Sequence, residues 1–149
     1  MKIDKLVDWY QKLSPSSLNS IDEFYHESAS FQDPFNHVQG SAQIAALLQH
    51  MFDTTENPGF IVKQIHIDGD VIWISWIFCC GLRGRKVTIE GASQLVLSQD
   101  GRIIRHRDYW DAADLYQQLP LIGTMIRMLK RRFKVKAGCH SSGKLLHER

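Results

Sequence analysis

Two short stretches place side chains able to move protons among residues that otherwise read as buried. The first is Phe31-Gln32-Asp33-Pro34-Phe35. A carboxylate set between aromatic side chains is partly desolvated, which favours its neutral form and suits it to shuttling protons. The competing reading is local: Asp before Pro accepts backbone N–H bonds and closes turns, and for these residue types that use is the commoner one. The second stretch runs from Ile103 to Asp111, Ile-Ile-Arg-His-Arg-Asp-Tyr-Trp-Asp. As a strand, its period of two places Ile104, His106, Asp108 and Trp110 on one face, and Ile103, Arg105, Arg107, Tyr109 and Asp111 on the other. His106 and Asp108 are then same-face neighbours beside Trp110, where an imidazole can orient or tune a carboxylate that takes and returns a proton. An ion pair at the end of a sheet accounts for the two residues equally well.

Other chemistries lack their signatures. The sequence holds no P-loop, GxGxxG, HExxH or GxSxG pattern. Its seven histidines do not pair at ligand spacing with a cysteine or a second histidine, so neither a metal nor an organic cofactor is expected. Three cysteines, two of them adjacent at Cys79 and Cys80, form no disulfide framework and no zinc spacing; a reduced, cytoplasmic setting is the plain expectation. The start of the chain runs directly into an amphipathic pattern, without the apolar core of a secretory signal.

The elements that must position these residues follow from periodicity. Ile3, Leu6, Val7, Tyr10 and Leu13 recur at helical spacing beside Trp9. Ser14-Pro15-Ser16-Ser17 stops that helix and caps a second short one through Leu18, Ile21, Phe24 and Tyr25. Residues 28–40 read as extended pieces around a turn, with Pro34 pushing Asp33 out of the helical region. Ser41 reads as the cap of a third helix through Ile44, Leu47, Leu48, Met51 and Phe52, ended by Asn57-Pro58-Gly59. The period then becomes two. Phe60–Asp68, Val71–Leu82, Lys86–Ser98 and Arg102–Asp111 are strands, with turn signals at Asp68-Gly69-Asp70 and Gln99-Asp100-Gly101. Helices followed by an antiparallel meander are an α+β order.

At 149 residues the chain has room for one compact domain, and no apolar run is long enough to cross a membrane as a helix. A net charge of +2 hides an asymmetry. Residues 127–149 carry eight basic groups and one acid, so the tail is +7 and the remainder is −5. After a helical turn or two over Ala112–Leu119, residues 121–134 alternate Leu121, Ile122, Met125, Ile126, Met128, Leu129 and Phe133 with arginines and lysines, the pattern of a basic amphipathic helix. Residues 121–136 could touch an anionic membrane surface; packing of the apolar stripe on the body or on a second subunit is the favoured alternative. An acidic body without a basic groove argues against nucleic acid.

The element order, together with Phe31-Gln32-Asp33-Pro34-Phe35, Gly40 and the closing run Asp100-Gly101-Arg102-Ile103-Ile104-Arg105-His106-Arg107-Asp108-Tyr109-Trp110-Asp111, resembles the SnoaL-like branch of the nuclear transport factor 2-like superfamily over about residues 3–115. Ketosteroid isomerase and scytalone dehydratase are relatives of that branch. The resemblance implies an α+β, cystatin-like cone: a curved mixed or antiparallel sheet wrapped around three N-terminal helices and a deep apolar pocket. It also implies a homodimer formed through the outer sheet face. Residues 1–115 would be this cone, and 116–149 a basic extension.

Carried over residue by residue, Asp33 matches the proton-shuttling Asp-Pro carboxylate of the isomerases. Asp108 matches the acid/base aspartate of SnoaL-type polyketide cyclases, with His106 and Trp110 on the same wall. The isomerase oxyanion-hole positions fall on Trp9, with Tyr10 beside it, and on Ser93, where the isomerase pattern has Tyr and Asp. The same register turns Trp76, Phe78, Cys80, Ile89, Gly91 and Leu95 toward the cavity with Phe35, a lining suited to a flat apolar ligand. The implied function is acid/base isomerisation, cyclisation or dehydration of an apolar carbonyl compound without a cofactor, with Asp108 as the main proton carrier and Asp33 as a second. The alternative is a pocket protein or dimeric scaffold without catalysis. A cavity plugged by Trp76, Trp110 and Phe35, or an Asp108 tied to Arg105 or Arg107, would favour the alternative.

Overall fold

The computed structural model describes residues 3–119 and 122–133. Helix α1 (Ile3–Gln11) buries Leu6 and Trp9. A 3-10 segment, Pro15–Glu23, follows behind a capping box in which Ser14 and Ser17 satisfy each other's backbone and side-chain groups. Strand β1 (Tyr25–Gln32) turns through Asp33–Asn36 into the short β2 (His37–Gln39). Helix α2 (Ser41–Thr54) leads to a run of long strands, β3 (Glu56–Asp68), β4 (Val71–Leu82), β5 (Arg85–Leu97) and β6 (Ile103–Trp110). Helices α3 (Ala112–Gln117) and α4 (Ile122–Phe133) close the described chain.

The sheet has six strands in the order β2-β1-β6-β5-β4-β3. The meander is antiparallel throughout, but β1 runs parallel to β6, so the sheet is mixed. The α+β architecture expected from the sequence is present: an open, curved sheet with the N-terminal helices packed on it. Leu6, Ile21, Phe24, Ile44, Leu95 and Ile103 are among the buried residues between helices and sheet. Burying each such side chain contributes about 1.5–3 kcal/mol.

Several local expectations are corrected. Tyr25 opens β1 instead of closing the second helix, because that helix stops at Glu23 with the Phe24 N–H on Ile21 O. Ser41 does not cap α2. Gly40 takes that position, and the Ser41 hydroxyl donates to Asp22 Oδ1 at 2.7 Å. Strand β3 begins at Glu56, ahead of Phe60; Pro58 is tolerated because β3 is an edge strand. On β6 it is Ile103, fully buried, that joins the core, not Ile104. The pairing Val96↔Arg105 followed by Leu97↔Ile103 leaves Ile104 as one extra residue, and this bulge reverses the alternation. Helix α3 spans Ala112–Gln117, on both sides of position 115.

Helix α4 forms where its periodicity predicts, but its apolar stripe does not pack on the described body. Arg127 donates to Gln117 O at 2.9 Å, and Lys130 meets Asp114 at 2.9 Å and Asp111 at 3.5 Å. The polar side of the helix thus faces α3. Met125, Met128 and Leu129 are 68%, 64% and 55% exposed. Residues 121 and 134–136 of the proposed membrane segment lie outside the described residues.

Candidate functional site

Between the concave sheet face, α1, α2 and α3 lies an apolar cavity of about 380 Å³. Sheet residues supply most of its wall: Trp76, Phe78 and Cys80 from β4, Ile89 and Ser93 from β5, and His106, Asp108 and Trp110 from β6. Tyr10 reaches it from α1. Asp33 and Phe35 stand beside it in the turn between β1 and β2. Two expected wall residues are elsewhere. Trp9 packs against Phe24, ring centroids 4.6 Å apart, and its Nε1–H reaches Ser17 O at 3.2 Å. Leu95 is wholly buried in the core and does not line the cavity. Gly91 does not line it either; it makes room for the Trp76 ring, because a Cβ there would lie 2.5 Å from Trp76 Cη2.

One continuous hydrogen-bond chain crosses the polar part of the wall. Trp76 Nε1–H donates to Ser93 Oγ at 2.8 Å, and Ser93 donates to Asp108 Oδ1 at 2.5 Å. The same oxygen lies 2.7 Å from His106 Nε2. Tyr25 OH is 2.6 Å from His106 Nδ1, and Tyr10 OH is 2.5 Å from Tyr25 OH and 3.1 Å from Nδ1. The Trp76 N–H can only donate, which sets the direction from that end. A neutral imidazole that spends its Nε2–H on Asp108 keeps Nδ1 as an acceptor, and Tyr25 fills it. Every donor then points toward Asp108. Burial raises the Tyr25 pKa, and it also raises that of Tyr10, helped by Tyr25 and the Asp108 charge, so both phenols stay protonated as donors.

Asp108 Oδ1 is thus held from two sides, whereas no hydrogen bond reaches Oδ2 among the described residues. The side chain is 13% exposed and the His106 side chain 4%. Among the described residues neither Arg105 nor Arg107 pairs with Asp108; Arg107 lies over the Tyr109 ring at 4.9 Å. Trp76, Trp110 and Phe35 line the hollow and do not fill it.

Asp33 is differently placed. Its Oδ1 accepts from the backbone N–H of Phe35 at 2.7 Å and of Asn36 at 2.6 Å, and the Asn36 amide reaches both oxygens at 3.1 Å. The turn occupies this carboxylate. Phe35, 51% exposed, meets Trp110 edge-on with centroids 5.1 Å apart. Cys80 is a buried wall residue whose thiol pKa is pushed up by desolvation, and further by Cys79 and Glu56. Among the described residues no three His, Cys, Asp or Glu side chains gather as a metal site.

Sequence reading missed Tyr25, Phe31, Phe60 and Val62, and it assigned Leu47, Leu48 and Met51 to a helix without seeing them face the cavity. The alternation of Ala29 and Phe31, both buried, marks the end of β1, but the exposed Glu27 and the register shift between Tyr25 and Ser30 break it before Tyr25.

A family model described as a SnoaL-like domain matches residues 6–106. No curated protein matches the chain. Among solved structures, a ketosteroid isomerase-like protein from Catenulispora acidiphila in complex with trimethylamine superposes with a TM-score of 0.67 at 16% identity, covering 79% of this chain and 92% of its own. A candidate SnoaL-like polyketide cyclase from Jannaschia sp. CCS1 gives 0.66 at 14% identity, covering 76% and 87%. An LEH-like epoxide hydrolase from M. tuberculosis gives 0.62 at 21% identity, covering 86% and 92%. At these identities the likeness is one of fold.

Proposed function

The chain belongs to the SnoaL-like family, and on that premise we propose that it is an enzyme whose Asp108 takes a proton from, and returns it to, an apolar carbonyl compound held in the cavity. The observation that carries this reading is the asymmetry of Asp108. One carboxylate oxygen is fixed by Ser93 and His106, and among the described residues the other is uncommitted in a wall that is mostly apolar. A base held this way can act without first breaking a hydrogen bond, and an apolar surround strengthens its interaction with a carbon acid. His106 orients the carboxylate, and Tyr25 and Tyr10 orient His106. Isomerisation, aldol-type cyclisation and dehydration all begin with such a proton transfer.

Asp33 shapes the cavity mouth in this scheme and carries no proton. The aromatic and aliphatic side chains of β4 and β5 favour a flat ligand by contact and not by hydrogen bonding. The test is hydrogen exchange at carbon. A panel of cyclic and aryl ketones is incubated with the protein in deuterated water and followed by NMR. Exchange α to the carbonyl that is lost in Asp108→Asn supports the reading, and equal exchange by both proteins overturns it. A protein that binds these ketones without exchanging them is a pocket protein without catalysis.

A homodimer through the outer sheet face belongs to the same proposal. Ile61 on β3, paired with Ile77 on the side away from the cavity, is 50% exposed, and Trp73 and Tyr109 stack on that outer face with centroids 5.6 Å apart. Sedimentation equilibrium on the wild type and on Trp73→Glu tests it. A dimer that Trp73→Glu dissociates supports this interface, and a wild-type monomer removes it.

A further inference from the structure

Helix α4 is an amphipathic helix docked the wrong way round for a helix that belongs to the core. Its polar side faces the protein. Arg127 holds the C-terminal carbonyl of α3 at Gln117, and Lys130 holds Asp114 and Asp111. Gly123 lets the two helices approach: a Cβ there would lie 2.4 Å from Gln117 O. The apolar side is turned to solvent, with Ile122 45%, Met125 68%, Met128 64% and Leu129 55% exposed. An amphipathic helix gains stability by burying its apolar stripe, so among the described residues this arrangement leaves the main driving force unused.

Charge decides what would cover the stripe. Ile122–Phe133 contains Arg127, Lys130, Arg131 and Arg132 and no acidic residue. Arg131 and Arg132 are exposed. Strong amphipathicity, a purely basic polar side and low overall hydrophobicity are the marks of a helix that lies in the headgroup region of a bilayer. Long arginine stems beside the stripe can reach back to lipid phosphates while their carbon chains stay with the acyl region. A protein groove would supply apolar cover but gives no reason for the uniform sign of the charge.

We propose that α4 is a docking surface for an anionic phospholipid membrane, entered by Ile122, Met125, Met128 and Leu129 and held by Arg131 and Arg132. The placement suits the cavity. Leu115 on α3 lines it, and Leu82 lines both the cavity and a cleft of about 370 Å³ shared with Leu119 and Ile122. The base of α4 therefore stands next to the cavity wall, where an apolar compound dissolved in the bilayer would be close to Asp108.

The experiment is co-sedimentation of the full chain with vesicles of phosphatidylcholine alone and of phosphatidylcholine with about one third phosphatidylserine. Binding to the anionic vesicles that weakens with salt is expected, with little binding to the neutral ones. Arg131→Gln together with Arg132→Gln lowers the partition about 30-fold, since each basic side chain at such a surface contributes about a factor of five. Met125→Glu with Leu129→Glu abolishes it, while circular dichroism and thermal unfolding stay close to wild type because these side chains are exposed. No binding to anionic vesicles overturns the proposal. So does binding that survives both double variants, which would place the contact elsewhere. A self-association lost in Met125→Glu/Leu129→Glu without any vesicle binding would assign the stripe to a second copy of the chain instead.

Discussion

His106 Nε2 lies 2.7 Å from Asp108 Oδ1, two residues along the same strand, and this contact ties the helical layer to the sheet at one carboxylate. Through Nδ1 the imidazole reaches Tyr25 on β1 and Tyr10 on α1; through Ser93 the carboxylate reaches Trp76 on β4. Four strands and a helix thereby fix one oxygen and, among the described residues, leave its twin uncommitted. Asp108→Asn keeps an acceptor for Ser93 and His106 but cannot take a proton. It should fold normally and lose about 100- to 10,000-fold of the α-exchange rate, the usual share of a general base. NMR exchange measured beside thermal unfolding separates the two effects.

The two phenols should not be equivalent. Tyr25 OH is the nearer partner of His106 Nδ1, at 2.6 Å against 3.1 Å for Tyr10 OH. Tyr25→Phe removes the first and leaves the second too long to replace it fully. About 1–3 kcal/mol of stability should go, the range for stranding a buried polar atom. Tyr10→Phe leaves the 2.6 Å bond in place and should cost less. Urea titrations of the two variants give the order, and a larger loss for Tyr10→Phe would contradict it.

Alkaline pH probes the same pair. Tyrosine ordinarily titrates at 10.0, and burial raises both residues above that. Below pH 10 the native and unfolded chains both keep these protons, so the phenols' contribution is fully present. Above it the unfolded chain releases protons that the native chain retains. Stability then falls by about 1.4 kcal/mol per pH unit for each phenol until the folded pKa is passed. Absorbance near 295 nm should show Tyr10 and Tyr25 ionising only with unfolding. Ionisation of Tyr10 and Tyr25 ahead of the unfolding transition would contradict the burial.

Why much of this was legible, and some not, follows from the range of the interactions involved. The four long strands, the α+β order and the shared face of His106 and Asp108 follow from period two within a dozen residues. So does the cavity-facing parity of Trp76, Phe78 and Cys80 on β4. Tyr25, Ile104 and Leu95 were misplaced because their positions depend on partners far along the chain. Tyr25 belongs to β1 through its parallel pairing with β6, and Ile104 bulges because Leu97 pairs with Ile103. Leu95 sits opposite His106 but lies in the closed core. The orientation of α4 was hidden for a related reason. Its periodicity defines two faces, but only the acids of α3 determine which one is drawn inward.

Gly91 shows how closely the cavity wall is fitted. A Cβ there would lie 2.5, 2.7 and 2.9 Å from three atoms of the Trp76 ring, and that ring is pinned by its bond to Ser93. Gly91→Ala must push the indole toward the cavity and strain the Trp76–Ser93 bond. A loss of about 1–3 kcal/mol is expected from such overpacking. Weaker binding of an apolar ketone and a shifted tryptophan emission should accompany it. Unchanged emission and affinity would mean that Trp76 can relax elsewhere.

Asp33 separates a proton carrier from a turn builder. Its carboxylate accepts from two backbone N–H groups and from the Asn36 amide, and the turn so formed sets Phe35 against Trp110. Asp33→Asn preserves Oδ1, which receives both backbone bonds, so exchange activity should stay within about threefold of wild type, the scale of a change under 1 kcal/mol. Asp33→Ala removes every acceptor. It should free Phe35 from Trp110, destabilise the chain by about 1–2 kcal/mol and weaken ketone binding more than it slows exchange at saturation. If Asp33→Asn instead slows exchange as severely as Asp108→Asn, the turn is secondary. Two carboxylates would then share the proton transfer across the cavity mouth.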